Sequence, residues 1–355
     1  MPRKRVVVAM SGGVDSSLAA AIVKSQGYQV IGVTMQIWPW DKQESSGGCC
    51  GLGAIEDAKR VAHRLGIPHY VMNFRSIFAQ RVIADFCHEY SLGRTPNPCI
   101  RCNQYIKFET LLSRAKELDA DFIATGHYGR VGHASDGYHL LKAIDPIKDQ
   151  SYFLYTLGQK ELHHLLLPIG NFHKAEVRRL AAELGLPTAT SRDSQDICFI
   201  PGSDYRSFIA EHIPFQPGDI VDTDGKILGR HGGLSRYTIG QRKGLGLASD
   251  RRLYVLKLDA SSNRLMVGTE EQLLSSKLFA NQLSWISGKE PKDFTNVTAK
   301  VRYKSPEVAV KVRLDNGTAG VQFEQLQRAI TPGQAVVFYR DETVLGGGVI
   351  ENRVD

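Results

Sequence analysis

A glycine-rich turn close to the start of the chain has the composition of a nucleotide-phosphate site. The apolar run 6–10 is typical of a buried parallel strand, and Ser-Gly-Gly-Val-Asp-Ser at 11–16 leads from it into an apolar pattern with helical spacing. Gly12 and Gly13 let the backbone approach a phosphate closely, and the unpaired amides of a helix start attract the anion. We therefore expect nucleotide binding here, the alternative being an ordinary strand-to-helix turn.

The same turn lacks the lysine that a Walker A loop places beside the β- and γ-phosphates. Asp15 occupies the loop instead, which argues against hydrolysis of the γ-phosphate. A carboxylate at this position suits a Mg²⁺ ion held between it and the phosphates, or a cap on the helix.

Two cysteines, Cys99 and Cys102, form a Cys-x-x-Cys pair after a proline-containing approach. The pattern predicts a helix that begins near Gln104 and runs through Leu118, so that Cys102 directly precedes it. A thiol beside Arg101 and near a helix start has its thiolate form favoured, which makes Cys102 a candidate nucleophile. Half of a zinc site and a redox pair are the alternatives for this spacing.

A further cysteine, Cys198, follows the polar run 191–196, which is typical of a mobile loop, with Phe199 and Ile200 predicted to anchor it. Taken alone, Cys198 fits a buried hydrophobic residue better than a reactive one. Cys49 and Cys50 lie in a glycine-rich loop, and adjacent cysteines point apart more readily than together. The sequence leaves the role of this adjacent pair open.

The charge of the chain favours a nucleic-acid partner. Its 355 residues carry a formal net charge of +7. The segment 226–257 contains one acidic residue, Asp250, and eight basic ones. The basic residues are Lys226, Arg230, Arg236, Arg242, Lys243, Arg251, Arg252 and Lys257. Such a segment is typical of a surface that follows RNA phosphates, the alternative being a solvated basic surface.

The sequence also predicts where the protein works. The basic residues at 3–5 precede an apolar run too short for a secretory signal, and no run approaches the ~18 apolar residues of a membrane span. We therefore expect a cytoplasmic protein without a membrane partner, in which cysteines are more often buried, metal-binding or catalytic than disulfide-bonded.

The elements that position these residues follow from hydrophobic periodicity. Alternating strands and amphipathic helices predict a doubly wound parallel α/β sheet in a domain spanning 1–201, with strands at 5–10, 29–34, 69–73 and 121–125. Short alternating runs then predict two small β-rich domains, 202–276 and 277–355, the last a β-barrel. Strands of these two domains are expected at 218–221, 253–258, 297–303, 308–314, 320–323, 335–339 and 344–350.

Several motifs together point to a known family. Ser-Gly-Gly-Val-Asp-Ser resembles the signature of the PP-loop ATP pyrophosphatases, which cleave ATP between the α- and β-phosphates. Further motifs stand at 93–108, 124–128, 148–154, 196–200, 237–246, 301–303 and 331–334. The set closely resembles the tRNA-specific 2-thiouridylases, the MnmA family, over nearly the whole chain. The resemblance implies a PP-loop catalytic domain of the adenine nucleotide alpha hydrolase-like type, a central tRNA-contacting domain and a C-terminal β-barrel.

The resemblance implies an activity. ATP, with Mg²⁺, adenylates the C2 oxygen of the wobble uridine in tRNA for Lys, Glu and Gln, and a cysteine persulfide then supplies sulfur to give 2-thiouridine, AMP and diphosphate. By motif, Cys102 is the nucleophile and Cys198 carries the persulfide. The partners implied are the tRNA anticodon stem-loop and an upstream donor, either a cysteine desulfurase or a sulfur relay protein. Direct persulfide attack and released hydrosulfide both remain open, and we expect the loop 190–200 to move as a lid.

The resemblance also assigns binding residues by motif. Those for ATP are Ala9, Met10, Ser11, Gly12, Gly13, Val14, Asp15, Ser16, Met35 and Gly126. Those for tRNA are Asn97, Pro98, Cys99, His127, Lys148, Asp149, Gln150, Arg302, Tyr303 and Gln334. The ATP set follows the ends of predicted strands, which is where open α/β sheets place their ligands.

One departure from the family bears on cofactors. Some relatives place Asp where this chain has Cys99, so Cys99, Cys102 and Cys198 form a thiol set that could hold an iron–sulfur cluster. Two rival functions remain: another PP-loop adenylating synthetase, which would not need these thiols, and a non-catalytic RNA-binding iron–sulfur module. The sequence leaves the sulfur donor and the oligomeric state open.

Overall fold

The computed structural model describes residues 3–37, 52–191, 197–200 and 204–354. The strands of its first part are β1 (Arg5–Ala9), β2 (Gln29–Gln36), β3 (His69–Asn73), β4 (Phe122–Ala124), β5 (Arg130–Ala134), β6 (Gly137–Leu141) and β7 (Leu165–Leu166). A parallel sheet forms in the order β3-β2-β1-β4-β7. The chain runs outward from β1 through β2 to β3 and then crosses back to β4 on the other side of β1, so a topological switch point lies between β1 and β4.

Helices cover both faces of this sheet. They are α1 (Val14–Ser25), α2 (Leu52–Leu65), α3 (Arg75–Phe78), α4 (Ala84–Ser91), α5 (Pro98–Arg101), α6 (Leu111–Glu117), α7 (Gln159–His163), α8 (Lys174–Glu183) and, later in the chain, α9 (Tyr205–Ala210). Wide turns of the π type occupy Ala79–Ile83 and Cys102–Thr110. Successive β1 side chains enter different cores: Val7 packs with Phe108, whereas Val6 and Val8 pack with Leu18. The predicted doubly wound α/β fold is therefore confirmed.

The cysteine-bearing helix begins earlier than predicted. It starts at Pro98, not near Gln104, and continues through the π-type turns into α6. Proline's fixed φ suits the first position of a helix, and the extended Asn97 precedes it. Cys99 thus lies in the first turn and Cys102 one turn further along, so the prediction that Cys102 precedes the helix was wrong.

The central part of the chain is a small β-rich unit. Its strands are β8 (Gly218–Val221), β9 (Ile227–His231), β10 (Tyr254–Asp259) and β11 (Arg264–Gly268). They form a sheet in the order β10-β11-β8-β9, with β11 and β8 parallel. The first predicted strand matches β8, and the predicted strand 253–258 is shifted by one residue from β10. The predicted boundary between residues 201 and 202 lies outside the described residues.

The last part closes into an antiparallel barrel. Its strands are β12 (Leu274–Trp285), β13 (Thr298–Lys300), β14 (Val308–Asp315), β15 (Thr318–Arg328), β16 (Ala335–Arg340) and β17 (Thr343–Val354). They run in the order β12-β15-β14-β13-β16-β17, and β12 pairs with β17 to close the barrel. The predicted C-terminal barrel is confirmed. β12 was not predicted, and it starts before residue 277, where the last domain was expected to begin.

A hairpin of the first domain joins this barrel. β5 and β6 pair with each other, and β6 continues the barrel sheet through the register pairs Thr343–Leu141 and Val344–Leu140. Arg130 in β5 forms an ion pair with Glu342 at 2.8 Å. The nucleotide-binding sheet and the barrel are therefore physically coupled, which the sequence did not predict. No helix in the described ranges is long and apolar enough to cross a membrane.

Candidate active site

The glycine-rich loop is organised around the start of α1. Gly12 has a φ of +73°, and a Cβ there would collide with the backbone of Ala54, so the position requires glycine. The hydroxyls of Ser16 and Ser17 donate to the carbonyl oxygen of Gly13 at 3.0 and 2.9 Å, and the Ser11 amide donates to Ser16 Oγ at 3.1 Å. The loop leaves the start of α1 without a side-chain cap, an arrangement that suits an anion.

The end of β4 packs directly on this loop. A Cβ on Gly126 would lie 2.5 Å from the Ser16 amide nitrogen and 2.6 Å from the Asp15 carbonyl carbon. Glycine is what allows the segment after β4 to meet the segment after β1, at the switch point of the sheet. Met35 lies within β2 rather than after it, half-buried and in register with Met72 of β3.

Asp15 is held by two donors from elsewhere in the chain. Lys174 Nζ donates to both of its carboxylate oxygens at 2.7 Å, and the Tyr128 hydroxyl donates to Oδ1 at 2.9 Å. Gly13 is the helix N-cap and no side chain caps it, so Asp15 does not cap the helix. Lys174 brings to this site the positive charge that the loop sequence lacks. Sequence reasoning missed it, although α8 follows the end of β7 and so begins at the same edge of the sheet.

His127 connects the nucleotide edge with the cysteine-bearing helix. Lys107 Nζ donates to His127 Nε2 at 3.3 Å, so the ring proton resides on Nδ1, which donates to Thr125 Oγ1 at 2.8 Å. Burial, and secondarily the charge of Lys107, holds the pKa of His127 well below its ordinary value of 6.5. The imidazole is therefore neutral and buried, next to Gly126.

This buried histidine makes the fold sensitive to acid. The unfolded chain binds a proton at His127 near pH 6.5 while the folded chain does not, so its contribution is complete above that pH and is lost as pH falls toward the folded-state pKa. We expect the unfolding free energy of the wild type to drop between pH 6.5 and 5.5 by up to about 1 kcal/mol more than that of His127→Gln. Urea unfolding at the two pH values measures this, and equal drops would contradict it.

The segments next to Cys102 and Cys198 contact the same helix, α4. Arg101, beside Cys102, bonds through Nε to Asp85 of α4 at 3.4 Å and through Nη2 to Gln282 of the barrel at 2.8 Å. Cys102 and Cys198 are both half-buried and pack against the same hydrophobic core.

The predicted anchor of Cys198 is confirmed. Phe199 and Ile200 are buried, and the Phe199 ring packs edge-on against Phe78, Phe86 and Phe208 at centroid distances of 5.3–5.5 Å. Phe86 neighbours Asp85, so the segments that carry Cys102 and Cys198 both contact α4. Cys49, Cys50 and residues 192–196 of the predicted lid lie outside the described residues.

Mg²⁺, zinc and iron are the metals that the sequence suggests. Within the ranges described, no group of three or more His, Cys, Asp or Glu side chains could hold a metal ion. Cys99, Cys102 and Cys198 belong to the described residues and do not form such a group. The Asp15 carboxylate fits a Mg²⁺ ligand beside phosphates, provided that Lys174 shares or releases its oxygens.

Apart from the buried His127, the residues predicted for tRNA fall into three groups, two of which lie in the first domain. Asn97, Pro98 and Cys99 lie at the start of the cysteine-bearing helix, and Asn97 lines a narrow cleft between this helix and the barrel. Asp149 is buried, where it accepts from the Ala143 amide at 2.9 Å and the Ser151 hydroxyl at 2.8 Å. Lys148 and Gln150 flank it, and the Gln150 side chain accepts from the Tyr128 amide at 2.9 Å.

The remaining predicted tRNA residues join the domains. The Arg302 guanidinium donates to the Ala329 carbonyl oxygen at 3.0 Å and to the Thr331 hydroxyl. Tyr303 packs on Phe153 with ring centroids 4.5 Å apart. Gln334 Nε2 donates to the carbonyl oxygens of Thr95 and Pro96 at 2.8 and 3.2 Å. The barrel thus fixes the segment that leads into the cysteine-bearing helix.

A parallel sheet whose switch point holds a glycine-rich loop and a helix start defines a nucleotide-binding domain of the HUP class. Residues 4–202 match the family described as "tRNA methyl transferase HUP domain", 206–269 its "PRC-barrel domain", and 275–350 the "Aminomethyltransferase beta-barrel domain".

Curated relatives extend this match over the whole chain. A protein of Halothermothrix orenii is 50% identical over 98% of this chain and 99% of its own, and one of Heliobacterium modesticaldum is 52% identical over 99% and 94%. Both are described as "tRNA-specific 2-thiouridylase MnmA". The chain belongs to the tRNA-specific 2-thiouridylase family, which confirms the resemblance inferred from its motifs.

Proposed function

We propose that the chain is an ATP-dependent tRNA-uridine 2-sulfurtransferase that adenylates the C2 oxygen of the wobble uridine in tRNA for Lys, Glu and Gln and replaces it with sulfur. The observation that supports this most is the contact between Lys107 and His127. Lys107 lies on the same helix as Cys102, and His127 follows Gly126 at the nucleotide loop. One contact therefore links the elements that would activate oxygen and deliver sulfur.

The nucleotide half of the reaction would take place at the sheet edge next to the start of α1. The amides and hydroxyls of 11–16 would bind the triphosphate, with the neighbouring residues Ala9, Met10, Met35 and Gly126 placing the adenosine. A Mg²⁺ ion held by Asp15 would neutralise phosphate charge as diphosphate departs. Lys174 supplies a fixed positive charge next to the same phosphates. Adenylation turns the uridine oxygen into part of AMP, a good leaving group.

The sulfur half falls to the cysteines docked on α4. Cys198 would carry the persulfide received from a cysteine desulfurase or a sulfur relay protein. Cys102, as a thiolate, would attack Cys198 Sγ and release the sulfur toward the activated C2 carbon. A reducing compartment such as the cytoplasm suits these thiols.

The RNA surface would extend across the three domains. The anticodon stem-loop has to present its wobble base near Asn97, Pro98 and Cys99, which requires the base to leave its stack. The same tRNA would also contact residues 148–150 and, in the barrel, residues 302, 303 and 334. The central domain adds an open basic pocket of about 310 Å³ that includes Arg242, Arg251 and Arg252.

This basic pocket gives a salt-dependence prediction. We expect Arg251→Ala/Arg252→Ala to weaken tRNA binding and to reduce the slope of log affinity against log salt by about 1–2, because each lost phosphate contact removes roughly 0.7–0.9 from that slope. Titration of labelled tRNA at several salt concentrations measures it. Lys311→Ala/Arg313→Ala, which removes the same charge from exposed positions of β14, is the matched control. Equal slopes for both double variants would contradict the assignment.

The experiment that tests the proposed function is nucleoside mass spectrometry of unmodified tRNA for Glu. The tRNA is incubated with the protein, Mg-ATP, cysteine and a cysteine desulfurase, and a parallel reaction omits ATP. We expect 2-thiouridine at the wobble position together with AMP in the complete reaction and neither without ATP. ATP turnover to AMP on this tRNA without any thiolated nucleoside, with a donor shown to load Cys198, would overturn the proposal.

A further inference from the structure

The Cys-x-x-Cys pair has a solvent-facing member that the sulfur-transfer steps do not use. Cys99 is exposed in the first turn of α5, whereas Cys102 is half-buried one turn further along. The backbone is helical through Arg101 and Cys102, and Cβ atoms three residues apart on a helix lie about 5–6 Å apart. A disulfide needs a distance of about 3.5–4.5 Å between the two Cβ atoms. A small backbone adjustment would therefore allow the bond.

The electron balance of the proposed reaction requires a disulfide in each turnover. The terminal sulfur of a persulfide has the oxidation level of elemental sulfur, whereas the sulfur of 2-thiouridine has that of sulfide. Two electrons must therefore reach it. By direct attack or by released hydrosulfide, a bond forms between Cys102 and Cys198 Sγ while the persulfide S–S bond breaks and its electron pair leaves with the transferred sulfur. Cys198 accepts no further sulfur until this disulfide is reduced.

We propose that Cys99 is the resolving thiol of this cycle. Its thiolate attacks Cys102 Sγ, the Cys99–Cys102 bond forms, the Cys102–Cys198 bond breaks, and the electron pair leaves on the Cys198 thiolate, which can then be loaded again. An external protein dithiol reduces the Cys99–Cys102 disulfide and is itself oxidised to a disulfide. This role rests on the proposed function, because without sulfur transfer no Cys102–Cys198 disulfide arises.

The surroundings of Cys99 and Cys102 fit the proposed roles, with Cys102 attacking Cys198 and Cys99 resolving the disulfide that forms. Arg101, which lies between the two thiols, is fixed to Asp85 and to Gln282, so the turn that carries Cys99 and Cys102 is held between α4 and the barrel. Cys198 is held on the same α4 through Phe199. An external dithiol must reach a sulfur atom at the surface, and of Cys99, Cys102 and Cys198 the exposed one is Cys99.

Disulfide mapping after one round of sulfur transfer tests this directly. Persulfide-loaded protein is mixed with excess tRNA and Mg-ATP without reductant, quenched in acid, alkylated and digested for mass spectrometry. We expect the wild type to contain a Cys99–Cys102 disulfide with Cys198 alkylated, and Cys99→Ser to retain Cys102–Cys198. A wild type that keeps Cys102–Cys198 while Cys99 is alkylated would overturn the proposal. Absence of 2-thiouridine in this single round would instead be a failure of the proposed function.

The steady-state turnover rate provides a second readout, which does not require the disulfide to be trapped. For each variant, the steady-state rate with a protein dithiol as reductant is divided by that variant's own single-round rate. We expect this ratio to fall at least about tenfold in Cys99→Ser, because an intramolecular exchange is replaced by a direct attack on a half-buried disulfide. Cys87→Ser, which changes a half-buried cysteine of α4, is the matched control and should keep the wild-type ratio. An unchanged ratio in Cys99→Ser would overturn the proposal.

Discussion

Replacing Cys102 or Cys198 with Ser is expected to abolish 2-thiouridine formation while ATP binding persists. A serine hydroxyl neither carries a persulfide nor attacks one, so we expect the rate of thiolation to fall by at least about 10³-fold, the scale on which enzymes lose activity with their covalent nucleophile. ATP binding should survive because its loop, residues 11–16, belongs to a different element from either cysteine. Nucleoside mass spectrometry and equilibrium ATP binding on the same preparations measure both quantities.

The matched control for these variants is Cys87→Ser. Cys87 packs against the same core as Cys102 and Cys198, and burial raises the pKa of its thiol, which makes it a poor nucleophile. The Cys87→Ser variant should thiolate tRNA at the wild-type rate. Full thiolation by Cys102→Ser and Cys198→Ser would instead contradict the roles proposed for these two cysteines in sulfur transfer.

Replacing Lys174 with Met is expected to weaken ATP binding by roughly 10- to 100-fold, the value of one charge-assisted hydrogen bond to a phosphate. Lys174 contacts both oxygens of Asp15, and its side chain is 13% exposed, so it stands beside the phosphate loop as a fixed cation. Lys174→Arg keeps the charge and should retain most of the affinity. The measurement is the equilibrium dissociation constant for Mg-ATP.

A double variant distinguishes a direct effect of Lys174 on the phosphates from an effect through neutralisation of Asp15. Lys174→Met leaves the Asp15 carboxylate without its nearest cation, which both destabilises the fold and repels phosphate. Thermal melting separates the first effect from the second. If Lys174 acts only by neutralising Asp15, Asp15→Asn/Lys174→Met would bind ATP like Asp15→Asn alone, and this result would contradict a direct role at the phosphates.

The nucleotide loop was predictable from the sequence because it is local. A buried strand, two glycines and a helix start occupy consecutive residues, and the strand register at β1 follows from its apolar run. Lys174 could not be found in the same way, since it lies far along the chain from Asp15 and reaches it only through the order of strands in the sheet. The helix start at Pro98 was misjudged because the prolines were interpreted as an extended approach rather than as a first helical position.

The contacts between domains escaped sequence reasoning for a related reason. β12 alternates weakly in hydrophobicity, as its mixture of buried and exposed positions shows, so no run of apolar residues marked it as a strand. The pairing of β6 with β17 joins segments that are distant in sequence and carries no local signal. Gln334 and Arg302 were assigned by resemblance to RNA contact, and the structure adds that they also bond to Thr95 and Ala329 within the protein.

The central claim is that ATP activates the uridine oxygen itself, and an isotope experiment tests it most directly. An anticodon stem-loop with oxygen-18 at C2 of the wobble uridine is incubated with the protein, Mg-ATP and a persulfide donor, and the AMP formed is examined by mass spectrometry. If the C2 oxygen is adenylated and then displaced by sulfur, the label appears in AMP in the same amount as 2-thiouridine forms. Unlabelled AMP accompanying 2-thiouridine would contradict the account, because the oxygen would then have left without being activated by ATP.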